Sequence, residues 1–175
     1  ERFWSAEDNA FYDTAKDGEK LIFRPRDPLD NATPSGASLA SELLMRAGHV
    51  FDNRHYNELA LSSFERDRDT LLRFGPAFGR MLSVADRSMA PPLEVAIVGH
   101  SSDPRTRMLI QAAHSIPDRN LTIVGAPPGE APCGIPLLKG SRTLVNKPTA
   151  YVCRKYICNL PITDPDQLRK EMLLL

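Results

Sequence analysis

Pro91-Pro92 divides this chain into two stretches with different hydrophobic periods. Two consecutive prolines donate no backbone hydrogen bond, so neither a helix interior nor a central strand runs through them. Apolar residues before the break recur at helical spacing, whereas after it they form short β-branched runs such as Glu94 to Val98. The break therefore predicts two domains, residues 1–90 and residues 91–175, and an α+β fold class.

Residues 1–26 are predicted to form a β-hairpin with an aromatic lead-in. The expected strands are Ala10 to Thr14 and Leu21 to Arg24, with Asp17-Gly18 as the turn between them. Aromatic side chains in such a hairpin either cover its apolar face or stack against a sugar ring, and the residue pattern leaves both roles open. These side chains are Trp4, Phe11 and Tyr12.

Three helices are expected between residue 35 and residue 90, with short connections that make neighbours antiparallel. The first covers residues 35–49, carries Leu39 and Leu43 on its apolar face and ends at Gly48 as the C-cap. The second runs from an N-cap at Asn53 to about Leu72, and the third opens at Pro76. The alternating charges from Glu65 to Asp69 are typical of a solvent-exposed helix face.

The second domain is predicted to contain a strand, a helix and a second strand that pairs parallel with the first. The strands are Glu94 to Val98 and Leu121 to Val124, and the helix runs from Asp103 to about Ser115. Two more strands are expected at Thr143 to Val145 and Ala150 to Cys153. A last helix begins at Asp164-Pro165.

Charge and hydrophobicity exclude two classes of partner. The 22 basic and 22 acidic residues cancel, so no bulk field favours nucleic acid or an anionic membrane. No apolar run reaches the roughly 18 residues needed to span a bilayer. The chain begins at Glu1 without a methionine, and we expect a fragment of a longer protein.

The cysteine pattern favours a reducing, cytoplasmic setting. Three cysteines are too few and too odd in number for a secreted disulfide framework. Cys153 and Cys158 can form a disulfide only if the chain turns between them, because extended chain would hold them far beyond bonding distance. Free thiols are the default expectation, and the bridge remains the alternative.

Motifs for a resident cofactor or metal are absent from the sequence. The turn from Val98 to Asp103 lacks the glycine spacing of a dinucleotide or phosphate loop, and Asp103 would put a negative charge where a phosphate binds. The four histidines are scattered, and the cysteines lack a second pair at zinc-ligand spacing. We therefore expect no metal and no cofactor.

Acid–base chemistry is most plausible around the hairpin and the turn that follows it. Asp30 is the candidate acid or base, Arg24 an electrostatic clamp and Asp13 a second carboxylate. Trp4 and Tyr12 would offer stacking surfaces to a ligand, with Ser35 beside them. The alternatives are that Asp30 only forms a turn and that Ser35 only caps the first helix.

The same residues resemble a known family, the spermatogenesis-associated protein 20 family, in its C-terminal third. The resemblance begins in the hairpin and continues through both domains, with its motifs in the same order. It rests on Phe11-Tyr12-Asp13-Thr14, Asp17-Gly18-Glu19, Arg24-Pro25-Arg26, Asp30 to Ser38, Val95 to Gly99, Ala150 to Cys153, Cys158 and Pro161 to Pro165. Ala37 departs from the family, which usually has Asn there, and so does Asn9-Ala10, where a glycine pair is common.

This resemblance implies a longer parent protein that also occurs in bacteria. Its members carry an N-terminal thioredoxin-like domain followed by an (α/α)6 toroid similar to N-acylglucosamine 2-epimerases and six-hairpin glycosidases. Residues 1–90 would then be the last helical hairpins of the toroid, and residues 91–175 a small α/β domain. The implied partners are the rest of the parent chain or a second copy, together with a sugar ligand.

Two hypotheses about function follow. The first is a carbohydrate-processing or carbohydrate-binding protein of epimerase or glycosidase type, with Asp30, Arg24 and Asp13 at the site. The second is a non-catalytic scaffold or client-binding module that supports the thioredoxin-like domain, with Cys153 and Cys158 as redox candidates.

Overall fold

The structure is a computed structural model that describes residues 2–129, 134–139, 146–154 and 157–174. The chain forms two compact units: Glu1–Gly48 with Asn53–Met89, and His49–Asp52 with Ala90–Leu175. Each unit has hydrophobic clusters of its own.

The N-terminal hairpin of the first unit contains the start of one predicted strand, Ala10 to Thr14, but pairs it with a different partner. β1 (Trp4–Ser5) pairs antiparallel with β2 (Ala10–Phe11). The turn between them ends at Asn9, whose φ of 49° is the left-handed conformation that Asn tolerates. The predicted strand at Leu21 to Arg24 is wrong, and its apolar side chains are largely exposed. Leu21, Ile22 and Phe23 lack the alternation of a half-buried strand, and the next residue, Pro25, has no N–H to donate.

α1 (Gly36–Phe51) extends beyond its predicted end. The residue in the left-handed conformation at that end is Asp52, with φ of 51°, and not Gly48. Gly48 lies inside the helix and faces α2 (Arg54–Arg66), where a Cβ would come 2.0 Å from Oδ1 of Asn57. The glycine therefore permits a close approach of the two helices.

The buried face of α1 consists mostly of small residues. Its buried members are Ala37, Ser38, Ser41, Met45 and Gly48. Leu39 and Leu43, expected on the apolar face, are 49% and 68% exposed. Small side chains on the inner face allow tight helix packing, and the leucines are left on the outer surface of the described unit.

The second predicted helix is divided into α2 and α3 (Arg68–Arg73). Asn53 caps α2 as predicted, and its side chain accepts a hydrogen bond from the N–H of Tyr56 at 3.3 Å. Asp67 separates the two helices, is only 7% exposed and forms an ion pair with Arg26. The prediction of a solvent-exposed charged face is therefore wrong at Asp67, because its partner lies far away in the sequence.

A 3₁₀ turn at Gly75–Phe78 leads into α4 (Gly79–Ser88), close to the predicted start at Pro76. The helices and the hairpin together enclose the two hydrophobic clusters of the first unit. The buried members of the larger cluster are Phe11, Ala37, Leu71, Phe78 and Met81. Those of the smaller cluster are Met45, Ala60 and Val84.

The second unit contains the predicted strand, helix and strand. β3 (Leu93–Val98) pairs parallel with β4 (Leu121–Ala126), and α5 (Pro104–His114) connects them. Asp103 caps α5 by accepting a hydrogen bond from the N–H of Arg105 at 2.8 Å. The parallel arrangement inferred from the sequence is confirmed.

Two further strands extend the sheet on the other side of β3. β5 (Thr149–Arg154) runs antiparallel to β3, and β6 (Ile157–Cys158) runs antiparallel to β5. The strand order is β4-β3-β5-β6. The predicted strand at Ala150 to Cys153 is thus confirmed, whereas Thr143 to Val145 lies outside the described residues.

The sheet of the second unit is covered on both faces. All six residues of β3 are buried, as expected for a central strand. One face packs against α5 and α6 (Pro165–Leu174), which contribute Leu109 and Leu168 to a common cluster. The other cluster contains Cys153 together with Leu137 and Leu138 of a short 3₁₀ turn.

Helices and small sheets therefore occur together, which confirms the α+β class. In the part of the chain that the structure describes, no helix is both long enough and apolar enough to cross a membrane. The toroid implied by the family resemblance stays a prediction.

Candidate functional site

Trp4 is a half-buried aromatic residue of the N-terminal hairpin. It lies opposite Phe11 in the β1–β2 register, and the two ring centroids are 4.7 Å apart with planes tilted by 55°. Tilted aromatic pairs of this kind stabilise a hairpin beyond the area they bury. Trp4 thus packs against the larger hydrophobic cluster of the first unit and is only partly buried.

Tyr12 is the centre of a polar cluster beside this pair. Its hydroxyl donates a hydrogen bond to Asp8 at 2.9 Å, and the guanidinium of Arg24 lies 4.3 Å from its ring centroid. Hydrogen bonds from Ser5 and then Tyr12 lower the pKa of Asp8, and the bond to Asp8 raises the pKa of Tyr12. Asp8 is therefore ionised and Tyr12 protonated at neutral pH. Sequence reasoning missed Asp8, although Ser5 and Asp8 have the spacing of a local turn.

Arg24 is held mainly by main-chain carbonyls. Its Nε and Nη2 donate to the carbonyl of Thr14 at 3.0 and 2.8 Å, and Nη2 also donates to that of Arg2 at 3.0 Å. Together with the cation–π contact to Tyr12, these bonds orient the guanidinium. The arginine is thus rigidly placed next to one predicted stacking residue.

Asp30, the predicted acid or base, accepts three main-chain hydrogen bonds. Oδ1 accepts from the N–H of Ser35 at 2.9 Å, and Oδ2 accepts from those of Arg80 and Met81 at 2.8 and 3.2 Å. Partial burial raises the pKa of Asp30, but the hydrogen bonds outweigh this effect and hold the pKa below its ordinary value. A carboxylate held in this way is ionised at neutral pH and caps the N-terminus of α4.

Asp13 and Ser35 also have structural contacts. Oδ2 of Asp13 accepts a hydrogen bond from the N–H of Asp27 at 2.9 Å. The hydroxyl of Ser35 accepts from the N–H of Ser38 at 3.1 Å and donates to the Ser38 hydroxyl at 3.0 Å, as an N-cap does. The structure therefore joins Arg24 to Tyr12 and Asp30 to Ser35. The side chains of Arg24, Asp13, Asp30 and Ser35 each hydrogen-bond to main-chain groups, whereas Tyr12 bonds to the side chain of Asp8.

The redox candidates are joined to each other. Cys153 and Cys158 form a disulfide five positions apart, so the default expectation of free thiols is wrong. The physical reason is the register of β5 and β6, which places the two residues directly opposite each other. Cys153 has no exposed surface, whereas Cys158 lies exposed on the short edge strand. Within the described residues, no three histidine, cysteine, aspartate or glutamate side chains are grouped to hold a metal ion.

Sequence comparison finds curated relatives. Spermatogenesis-associated protein 20 of Homo sapiens is 27% identical over 172 residues, which cover 96% of this chain and 22% of the human protein. The protein of the same name from Rattus norvegicus is 25% identical over 172 residues, and an uncharacterized protein of Caenorhabditis elegans is 23% identical over 177 residues. No protein-family model and no solved structure matches the chain.

These relatives support the resemblance to the spermatogenesis-associated protein 20 family over most of the chain. The chain spans about a fifth of the length of the curated relatives it matches (22% of the human and rat proteins and 23% of the Caenorhabditis elegans protein). Their names state no reaction, ligand or partner.

Proposed function

We propose that this chain is a non-catalytic module of a larger protein of that family and exchanges its Cys153–Cys158 disulfide with a thioredoxin-like dithiol. The observation that carries the proposal is the disulfide itself, with one sulfur buried and the other on an exposed edge strand. We place the protein in the reducing cytoplasm, where disulfides are mostly transient and serve catalysis or redox sensing. The thioredoxin-like domain implied by the family resemblance is the natural reaction partner.

The short loop closed by this bond argues against a purely structural staple. Chain-entropy theory assigns about 2 kcal/mol to a loop of roughly six residues, compared with about 4.7 kcal/mol for one of 100 residues. The residues it joins are already neighbours in the β5–β6 pair. Breaking the bond therefore releases little chain, and the fold can survive both redox states.

The exchange begins at Cys158, the exposed residue of the pair. A thiolate of the partner attacks Sγ of Cys158, the bond to Cys153 breaks, and Sγ of Cys153 leaves as a thiolate that takes up a proton. The second partner thiol then attacks the mixed disulfide. The partner is oxidised to a disulfide, and Cys153 and Cys158 are reduced to two thiols, with two electrons and two protons transferred.

The test is trapping of the mixed disulfide in chains that also carry Cys133→Ser. The partner is a thioredoxin whose resolving cysteine is replaced and whose remaining active-site cysteine is activated as a mixed disulfide with an aromatic thiol. In the Cys153→Ser chain, the thiol of Cys158 should displace the aromatic thiol and form a disulfide-linked adduct with the thioredoxin, detected by mass spectrometry. The matched chain with Cys158→Ser should react at least tenfold more slowly, because Cys153 is buried. Equal rates for the two chains, or reduction of the wild-type bond only after unfolding, would contradict the proposal.

A second function, carbohydrate binding by the first unit, is favoured by the cluster around Tyr12. Half-buried aromatic rings next to carboxylates and a guanidinium suit a neutral polyhydroxylated ligand, since C–H faces stack while hydroxyls bond to polar groups. In this proposal the helical unit is the end of a toroid completed by the rest of the parent chain. Because Asp30 is occupied by three N–H donors, its part is to support the site, and catalysis would depend on residues outside this chain.

Trp4 provides a direct test of carbohydrate binding because it is the only tryptophan of the chain. Titration with a panel of mono- and oligosaccharides should produce a saturable change in its fluorescence, and Tyr12→Leu should weaken binding at least fivefold. The matched control is Tyr56→Leu on α2, which should leave the affinity unchanged. Absence of a saturable change across the panel would eliminate this second function and leave the thiol proposal unaffected.

A further inference from the structure

The carboxyl ends of the parallel strands β3 and β4 open into a crevice in the second unit. The cavity there has a volume of about 300 Å³, and its apolar lining includes Ile97, Ile110 and Ile123. In open α/β sheets, ligands bind at this end of the parallel strands, where loops leave for the helices. The volume is at the lower end of the range for small-molecule sites.

Thr106 brings an unsatisfied polar group to this cavity. The residue lines the cavity and is only 3% exposed, and its Oγ1 has no hydrogen-bond partner among the described residues. Oγ1 is directed at Gly99, where it would lie 2.4 Å from an added Cβ. A buried hydroxyl without a partner costs free energy, and such groups in native proteins generally mark a bound water, an ion or a ligand.

A polar compartment adjoins the apolar one. It has a volume of about 240 Å³ and is lined by His100, Asp103 and Lys147, among others, and Gly99 lines both compartments. Asp103 is paired with Arg105 at 2.7 Å, which balances its charge. The positive charge of Lys147 and the positive end of the α5 dipole are then not balanced, so the compartment attracts one negative charge.

The charge of this compartment suits a carboxylate better than a phosphate. Asp103 already accepts the N–H of Arg105 in the first turn of α5, so that donor is not free for a phosphate oxygen. The loop also lacks the clustered glycines that let backbone N–H groups surround a phosphate. One lysine can balance the single charge of a carboxylate.

We propose that this crevice binds a small monocarboxylic acid with a branched or aromatic apolar body. The apolar body occupies the cavity between the isoleucines. The carboxylate lies close to Lys147 and accepts a hydrogen bond from the hydroxyl of Thr106. The proposal is independent of the disulfide and of carbohydrate binding, because neither uses these residues.

The test follows the amide resonances of the isotopically labelled chain during titration with 3-methylbutanoate and with 3-phenylpropanoate. At least one acid should bind saturably with a Kd of about 0.1–5 mM, with the largest shifts at Gly99, Thr106 and Gly125. The corresponding neutral amides should bind at least fivefold more weakly, and inorganic phosphate should cause no shift at these residues. No saturable shift for either acid up to about 20 mM, or equal binding of acid and amide, would overturn the proposal.

Two variants with matched controls complete the test. Thr106→Val should weaken binding at least fivefold without lowering the melting temperature, whereas Thr122→Val, on β4 outside the crevice lining, should not affect binding. Lys147→Met should remove the preference for acid over amide, and the exposed Lys170→Met should preserve it. Unchanged binding in the Lys147 variant overturns the assignment even if the Thr106 variant fails to fold.

Discussion

Replacing Asp30 by alanine tests whether its carboxylate stabilises the fold. The variant removes the acceptor for three main-chain N–H groups, those of Ser35, Arg80 and Met81. Arg80 and Met81 are the second and third residues of α4, so Asp30 acts as an N-cap supplied from a distant part of the chain. The expected result is a substantial loss of stability in the first unit.

The magnitude follows from these contacts. Loss of a helix cap costs about 1–2 kcal/mol. The N–H of Ser35, left in a partly buried position, adds about 1 kcal/mol. We therefore expect Asp30→Ala to lower the free energy of unfolding by about 2–3 kcal/mol at neutral pH, and Asp30→Asn, which keeps one acceptor oxygen, by about half as much.

The assay is urea unfolding followed by the fluorescence of Trp4, the single tryptophan, which belongs to the first unit. Repeating the urea unfolding at several pH values tests whether the negative charge of Asp30 contributes to stability. Since the pKa of Asp30 is lower in the folded state, its contribution is fully present above the unfolded value of about 3.9 and is lost as the pH falls through the folded value. The difference between wild type and variant should stay constant from about pH 7 to pH 5 and shrink below about pH 4.

The control is Asp69→Ala, which removes an exposed carboxylate from α3 and should cost less than about 0.5 kcal/mol. If Asp30→Ala unfolds within about 0.5 kcal/mol of the wild type, the capping role is refuted. A stable variant that also lost sugar binding would instead assign Asp30 to a ligand site.

Three other perturbations test the packing of the first unit. Arg26→Met should lower the free energy of unfolding by about 3–5 kcal/mol, because it leaves Asp67 buried and unpaired, and adding Asp67→Leu should recover most of the loss. A loss below about 1 kcal/mol in urea unfolding, as for a solvent-exposed ion pair, would contradict this. Gly48→Ala should lower the free energy of unfolding by about 1–2 kcal/mol, because the added Cβ meets the side chain of Asn57. Adding Asn57→Ala to the same chain should restore stability. A Gly48→Ala variant more stable than the wild type would disprove the close approach of the two helices. We also expect the chain to associate with itself through the exposed face of α1. Leu43→Glu should weaken this association at least fivefold, as measured by sedimentation velocity. A wild-type chain that is monomeric at about 100 μM would contradict the expectation.

Local sequence signals predicted much of the second unit. β3 and β4 are short β-branched runs, and Asp103 caps the helix that follows it in the chain. In the first unit, Asn53 caps α2 in the same way. In each case the deciding contacts lie within a few residues, where spacing and residue type are sufficient. The parallel pairing followed from the helix between the strands.

Several of the predictions that failed concern contacts between residues far apart in the sequence. Asp67 looked solvent-exposed because its partner is 41 positions away, and the bonds from Arg80 and Met81 to Asp30 cross about 50 positions. Nothing near these residues signals such contacts. The same holds for Asp30, the residue predicted for acid–base chemistry. Its carboxylate accepts hydrogen bonds from main-chain N–H groups of α4, far along the chain, and the sequence does not show this.

The position of β3 between β4 and β5 has a consequence for biosynthesis. β3 pairs with β4 on one side and with β5, which begins at Thr149, on the other. A nascent chain on the ribosome therefore carries a strand that is apolar except for Glu94, with one open edge, until residues 149–154 have left the exit tunnel. A premature stop codon within the preceding stretch would produce a polypeptide that exposes this edge permanently, and we expect such products to aggregate or to be degraded by quality-control proteases.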